Sequence, residues 1–120
     1  MSTSSNVVSL HPYFQVKPGQ MAAAKTLLRA FVARTTTEPA CRYYDFTTHG
    51  DEVFCREAYD GAAGVLAHLA NVGSVLDEML KVADVKRLEI HGPAGELEKL
   101  RGPLAAFQPT WFTFECGVAR

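Results

Sequence analysis

The stretch VFCREAYDGAAGVLAHLAN, from Val53 to Asn71, constrains the fold most, because two periodicities meet inside it. Val53, Cys55, Glu57 and Tyr59 alternate with Phe54, Arg56 and Ala58, the period-two pattern of a strand with one buried face. From Gly61 onward the spacing becomes helical: Val65, Leu66 and Leu69 make an apolar stripe, and Asp60 stands where a helix N-cap belongs. Gly61 and Gly64 weaken helix propensity, so they call for a tight entry or close packing. His68 lies two turns into that helix, and Glu57 and His68 are expected to face one cavity. A carboxylate between apolar neighbours is desolvated and its pKa rises, which suits a general base; the competing reading is an ion pair with Arg42, Arg56 or a helix residue. His68 has two readings as well, a proton relay or haem ligand on one hand, a partly buried imidazole bonded to a loop on the other.

The rest of the chain is organised to suit. In Val7–Val16, Val8, Leu10, Phe14 and Val16 share one face and Ser9, His11, Tyr13 and Gln15 the other. Pro12 cannot donate to a ladder, so an edge or a bulge is expected near it, and the polar face is expected to line a pocket. After the Pro18-Gly19 turn, Met21, Ala24, Leu28, Phe31, Val32 and Thr35 predict a helix that ends within Thr35 to Pro39, where β-branched residues run into a proline. A strand from about Arg42 joins the Val53 strand through His49-Gly50-Asp51 as a hairpin. Gly73 is expected to stop the His68 helix and Ser74 with Asp77 to open another, with Val75, Leu76, Met79, Leu80 and Ala83 as its stripe. Val85–His91 reads as a strand with Val85, Arg87, Glu89 and His91 opposite Lys86, Leu88 and Ile90; a short helix over Ala94–Arg101 and an aromatic strand over Trp111–Val118 follow.

At 120 residues the chain is expected to form a single domain spanning residues 1–120, with residues 1–6 loose. A formal net charge of -1 gives no drive toward nucleic acid or anionic lipid. No segment has the uncharged length of a membrane span or the build of a secretory leader, so a cytoplasmic location with neither nucleic-acid nor membrane partners is the expectation. Cys41, Cys55 and Cys116 are odd in number and lack CxxC spacing, which predicts free thiols. His11, His49, His68 and His91 lack the i, i+4 or i, i+2 spacing of paired ligands, so no metal is expected. No phosphate loop, dinucleotide fingerprint or nucleophile elbow is present. Tyrosines either stack on an aromatic ligand or fill the sheet faces; His11, Tyr13, Tyr44 and Tyr59 are the candidate ligand contacts, beside the catalytic candidates Glu57 and His68.

The order strand, helix, strand, strand, helix, strand is a ferredoxin-like α+β arrangement, an antiparallel sheet with helices on one face. Within it, Lys17-Pro18-Gly19-Gln20, then Cys41-Arg42-Tyr43-Tyr44-Asp45 after Glu38-Pro39-Ala40, Arg56-Glu57-Ala58-Tyr59, and Ala67-His68-Leu69 together resemble the antibiotic biosynthesis monooxygenase family, over roughly Val7 to Ile90. The resemblance implies a dimeric α+β barrel in which two four-stranded sheets pack face to face. It implies a monooxygenase that uses no metal, flavin or other cofactor on a small aromatic or quinol-like molecule, with Glu57 abstracting a proton and His68 orienting or relaying it. It is equally compatible with a non-catalytic dimeric module that binds a small ligand or serves a stress-related role. The family's third strand usually closes on a tryptophan, where this chain has Tyr59, and of the haem-degrading branch's asparagine, tryptophan and histidine only His68 has a counterpart. A homodimer is the expected assembly, with Phe54, Phe112 and Phe114 as candidates to cover the sheet's free face.

Overall fold

The alternation in VVSLHPYFQV decides the centre of the molecule, because its apolar face must be covered and its two edges paired. The computed structural model describes residues 6–119, so the stretch expected to be loose lies, Asn6 apart, outside the described residues. β1 (Val7–Val16) buries Val8, Leu10, Phe14 and Val16 and is flanked by β3 (Glu52–Asp60) and β4 (Ala83–Gly92), both antiparallel to it. β2 (Cys41–His49) forms the hairpin with β3, and β5 (Thr110–Thr113) adds in parallel to β4, giving the order β2-β3-β1-β4-β5. α1 (Met21–Thr35), α2 (Gly61–Val82) and α3 (Ala94–Leu100) cover one face of this ferredoxin-like sheet. Ala24, Phe31, Val72, Val75 and Met79 pack on Phe14, Val16 and Val53, while Val65, Leu97, Leu100 and Leu104 pack on Val8, Leu10, Tyr59 and Ile90.

Pro12 lies in the central strand and not at an edge. The β1–β4 register shifts between Tyr13 and Phe14, next to the proline, which is the bulge alternative. The shift has a structural effect: Val85, expected beside Arg87 on the outer face, joins Leu88 on the inner one, where both line a pocket.

α2 differs more from the local signals. It runs without a break through Gly73, because Val65, His68, Val72, Val75 and Met79 form one buried line at helical spacing. A continuous stripe against the core outweighs the capping chemistry of Ser74 and Asp77. Leu66 and Leu80 fall outside that line and are exposed. Asp60 occupies the N-cap position without capping; its carboxylate accepts from Arg42 Nη1 at 2.7 Å. The cap comes instead from α3, where Glu96 Oε1 accepts the Ala62 N–H at 2.8 Å. Gly61 has φ of +71°, so the backbone favours glycine, and a Cβ there would stand 2.8 Å from Glu96 Oε1 and displace the capping carboxylate. A Cβ at Gly64 would meet Tyr59 Cβ at 3.0 Å and Ala40 Cβ at 3.1 Å, the close approach that seats α2 on the sheet.

The final strand is shorter than its alternation predicts. β4 ends at Gly92 opposite Thr113, so the chain beyond β5 has no backbone to pair with once Phe114 N has donated to Gly92 O at 2.7 Å. All three cysteines are free thiols, and among the described residues no helix is long and apolar enough to cross a membrane.

Candidate active site

A pocket of about 60 Å³ lies between the inner face of the sheet and α2. Its floor follows from strand register: Tyr44, Glu57 and Leu10 pair in one row across β2, β3 and β1, and the pairs Phe46–Cys55 and Pro12–Leu88 make the next row. His68, Leu69, Val72 and Leu76 of α2 form the roof, and Leu104 with Phe107 line it from the segment after α3. Tyr44, Cys55, Glu57 and His68 supply the polar atoms; every other lining residue is apolar.

Glu57 is buried and, among the described residues, pairs with no arginine: Arg42 holds Asp60 and Arg56 lies 3.5 Å from Asp45. Tyr59 Oη donates to Glu57 Oε1 at 2.6 Å, and His68 Nε2 stands 3.5 Å from the same oxygen. Burial pushes the Glu57 carboxyl above its ordinary range, while the imidazole, the Tyr59 phenol and the Cys55 thiol pull it partly back. On the far side of the ring, His68 Nδ1 donates to the Glu38 carboxylate at 3.0 and 3.1 Å. An ionised carboxylate only accepts, so this bond assigns the proton to Nδ1 and leaves the Nε2 lone pair facing Glu57 in the neutral ring. Asn71 Nδ2 donates to Glu38 Oε2 at 2.7 Å and to Arg34 O at 2.9 Å, fixing the carboxylate from a second direction. The imidazole lies between two phenols, with centroids 5.1 Å from Tyr44 and 4.9 Å from Tyr59.

The neighbouring weak acids stay protonated. Burial first, and the Glu57 charge second, push up the Tyr44 and Tyr59 phenols and the Cys55 thiol. Burial together with Glu38 and Glu57 raises Cys41 to about 11. These groups are therefore hydrogen-bond donors, and Cys55 is an inert buried thiol. The chain Glu57, His68, Glu38 is equipped to take a proton from a molecule in the apolar pocket and to distribute it.

Of the residues named from sequence, the fold brings Glu57, His68, Tyr44 and Tyr59 together, although Tyr59 supports Glu57 from beside the pocket and does not line it. His11 and Tyr13 are on the opposite face of the sheet. The polar side of β1 does not line this pocket, because the same alternation that buries Leu10 and Phe14 turns its neighbours away from the helices. There His11 Nε2 shares a hydrogen bond with Ser9 Oγ at 2.9 Å, and Tyr13 packs on Phe54 at 4.7 Å. Glu38 was not singled out in the sequence: it lies in the segment that ends α1, where no periodicity marks a site. Among the described residues, no group of three or more His, Cys, Asp or Glu side chains is arranged to hold a metal ion.

No protein-family profile and no curated protein sequence matches the chain. Solved structures do. MupZ from Pseudomonas fluorescens is 38% identical, with 96% of this chain and 95% of that one covered and a TM-score of 0.91. A protein from Caulobacter crescentus CB15 proposed to be an antibiotic biosynthesis monooxygenase is 16% identical over 72% of this chain and 89% of its own, with a TM-score of 0.65. Another with that proposed assignment, from Chloroflexus aurantiacus J-10-fl, is 19% identical over 74% of this chain and 94% of its own, with a TM-score of 0.61. The last two share the fold.

Proposed function

We propose that this chain, which belongs to the antibiotic biosynthesis monooxygenase family, is a cofactor-independent oxygenase of a small aromatic or quinol-like molecule, with Glu57 as its base. The observation that carries the reading is the buried carboxylate: Glu57 sits in an apolar pocket with a phenol and an imidazole on one oxygen and, among the described residues, no arginine paired with it. Apolar walls disfavour the charged form of an acid, so a proton moves readily onto Glu57 from an activated C–H next to an aromatic carbonyl. The resulting delocalised carbanion reduces dioxygen and forms a C–O bond to it. Glu57, once it has passed that proton on, takes the second proton from the same carbon, the O–O bond breaks, and the two protons leave as water, so that CH2 and O2 become C=O and H2O. Tyr44, kept protonated and lining the same pocket, is placed to donate to the substrate oxygen on which charge accumulates.

Oxygen uptake with a panel of anthrones and hydroquinones tests this reading. Wild type is expected to consume one dioxygen per ketone formed, and Glu57→Gln to lower kcat by about 10²- to 10⁴-fold, the usual contribution of a positioned base. Saturable binding of panel members without oxygen uptake overturns it in favour of a ligand-binding module. That second reading is favoured by one observation: among the described residues, no buried side-chain polar atom lacks a hydrogen-bond partner.

We also infer a homodimer. Tyr13, Phe54, His11, His91 and Phe112 form a continuous aromatic strip across the outer face of the sheet, with successive centroids 4.7, 6.1, 4.7 and 4.4 Å apart. Phe112 is 40% exposed there, Phe114 just beyond β5 is equally exposed, and a second copy covering the strip removes apolar area from water. A monomer by sedimentation at micromolar concentration rules this out.

A further inference from the structure

Glu38 is the second carboxylate of the site, and its surroundings are unlike those of Glu57. Its side chain is nearly buried, yet it borders a cavity of about 210 Å³ on the side away from His68, lined also by Thr35, Thr36 and Arg42 and opening to solvent. That volume admits several waters, which Thr35, Thr36 and Glu38 itself can bond. Glu57 faces only the apolar pocket. His68 thus lies between a carboxylate in apolar surroundings, 3.5 Å from Nε2, and one at an aqueous cavity, 3.0 Å from Nδ1. An imidazolium held between two carboxylates is the one charged state of the ring for which both nitrogens have acceptors.

We propose that Glu38 is the positioning residue that lets His68 store the proton taken from substrate, so that Glu57 is an ionised base again while dioxygen reacts. The inference rests on the reading of Glu57 as the base. In the first step the substrate C–H bond breaks and an O–H bond forms on Glu57; that O–H then breaks as an N–H bond forms at His68 Nε2, giving the imidazolium opposite Glu38. Storage one residue away slows return of the proton to the carbanion. It also leaves Glu57 free to remove the second proton from the same carbon, after which both protons pass to the oxygen that departs as water. The ring keeps its Nδ1 proton throughout, so it returns to its starting tautomer without rotating. The other ionisable groups around His68 do not supply the counter-charge: Tyr44 and Cys41 of β2 and Tyr59 and Cys55 of β3 stay neutral, and Arg34 of α1 is exposed and donates to Asn71 O at 3.1 Å.

The test is Glu38→Gln, whose amide oxygen still accepts the Nδ1–H but carries no charge, with Glu38→Asp as the conservative control. Ring-nitrogen NMR of His68 needs no substrate: its titration midpoint is expected to fall by about one pH unit or more in Glu38→Gln, a tenfold loss of proton affinity, and to stay near wild type in Glu38→Asp. An unchanged midpoint in Glu38→Gln overturns the proposal whatever the protein catalyses. With a turned-over substrate, kcat is expected to fall about tenfold in Glu38→Gln with KM within about twofold, and Glu38→Asp to recover most of the loss. Equal losses in kcat and KM, or no recovery with aspartate, would mean a merely structural role. Should Glu38→Gln not fold, Asn71→Ser loosens Glu38 without touching His68 and is expected to shift the midpoint the same way by less; no shift there overturns the proposal. A wild type that takes up no oxygen overturns the oxygenase reading and the proton storage built on it, whereas the titration decides separately whether Glu38 holds the imidazolium.

Discussion

Two glutamate–histidine pairs sit on opposite faces of the same sheet. Inside, Glu57 Oε1 is 3.5 Å from His68 Nε2; outside, Glu89 Oε1 is 3.1 Å from His91 Nε2, and Arg87 Nε donates to its other oxygen at 2.6 Å. The outer carboxyl is held below its ordinary range, first by the His91 hydrogen bond and then by Arg87, whereas the inner one is raised by burial despite its histidine. Identical residue types therefore move in opposite directions: burial outweighs the histidine at Glu57, whose side chain is 6% exposed, while the His91 and Arg87 hydrogen bonds outweigh burial at Glu89, 17% exposed on the outer face of the single chain. A glutamate near a histidine is not in itself a reactive arrangement. It becomes one where desolvation makes the protonated acid competitive with the carboxylate.

The comparison breaks most visibly in catalysis. Glu57→Gln is expected to lose the 10²- to 10⁴-fold that a general base contributes, and Glu89→Gln to keep kcat within about twofold. Equal effects in the two variants would erase the distinction. Next in size is assembly: Phe112→Asp places a charge at the exposed end of the outer aromatic strip, and sedimentation is expected to show dimer becoming monomer at micromolar concentration, while Glu57→Gln remains dimeric. Tyr59→Phe removes the phenol from the inner carboxylate and is expected to cost about 1 to 2 kcal/mol in denaturant unfolding, with Glu57 pushed still higher, because that hydrogen bond lowers its pKa.

The smallest effect is in the pH dependence of stability, where the two faces have opposite signs. Glu57 has a folded pKa above its unfolded value of about 4.5, so its contribution is full below that value and is lost as pH rises through the folded pKa. Glu89 has a folded pKa below the same value, so its contribution is present above about 4.5 and is lost as pH falls through the folded pKa. Melting temperatures taken from about pH 3 to about pH 8 are expected to show Glu57→Gln gaining on wild type as pH rises, and Glu89→Gln gaining on it as pH falls.

How much of this was legible beforehand depends on whether a residue sits in a periodic element. The alternation of β1 and β3 placed Leu10, Phe14, Cys55 and Glu57 on one side, and the helix after Gly61 brought His68 over them, so the centre of the site was readable. The buried line Val65, His68, Val72, Val75, Met79 was in the sequence too, but Gly73 and the Ser74-Asp77 pair spoke for a break that packing overrides. Val85 could not be placed, because a bulge reverses every later side chain in a strand and only the paired register reveals it. His11 and Tyr13 were drawn to the pocket by their chemistry, although the period-two rule already assigned them to the other face. Glu38 lay in a turn, where neither period applies, and its role depends on three segments meeting in space.

The capping of α2 ties the history of the chain to its chemistry. Ala62 waits for an acceptor that arrives 34 residues later in the sequence. During synthesis, a chain that has emerged only as far as β4 already contains Glu38, Glu57 and His68, yet the helix that carries the histidine still begins with an unsatisfied N–H. The Val8, Leu10 and Tyr59 cluster is then also without Leu97, Leu100 and Leu104. The segment after β4 bears none of the polar groups of the pocket, yet it brings the cap of α2, three leucines of the core and the pocket-lining Leu104 and Phe107, so the surroundings of Glu57 and His68 are completed last.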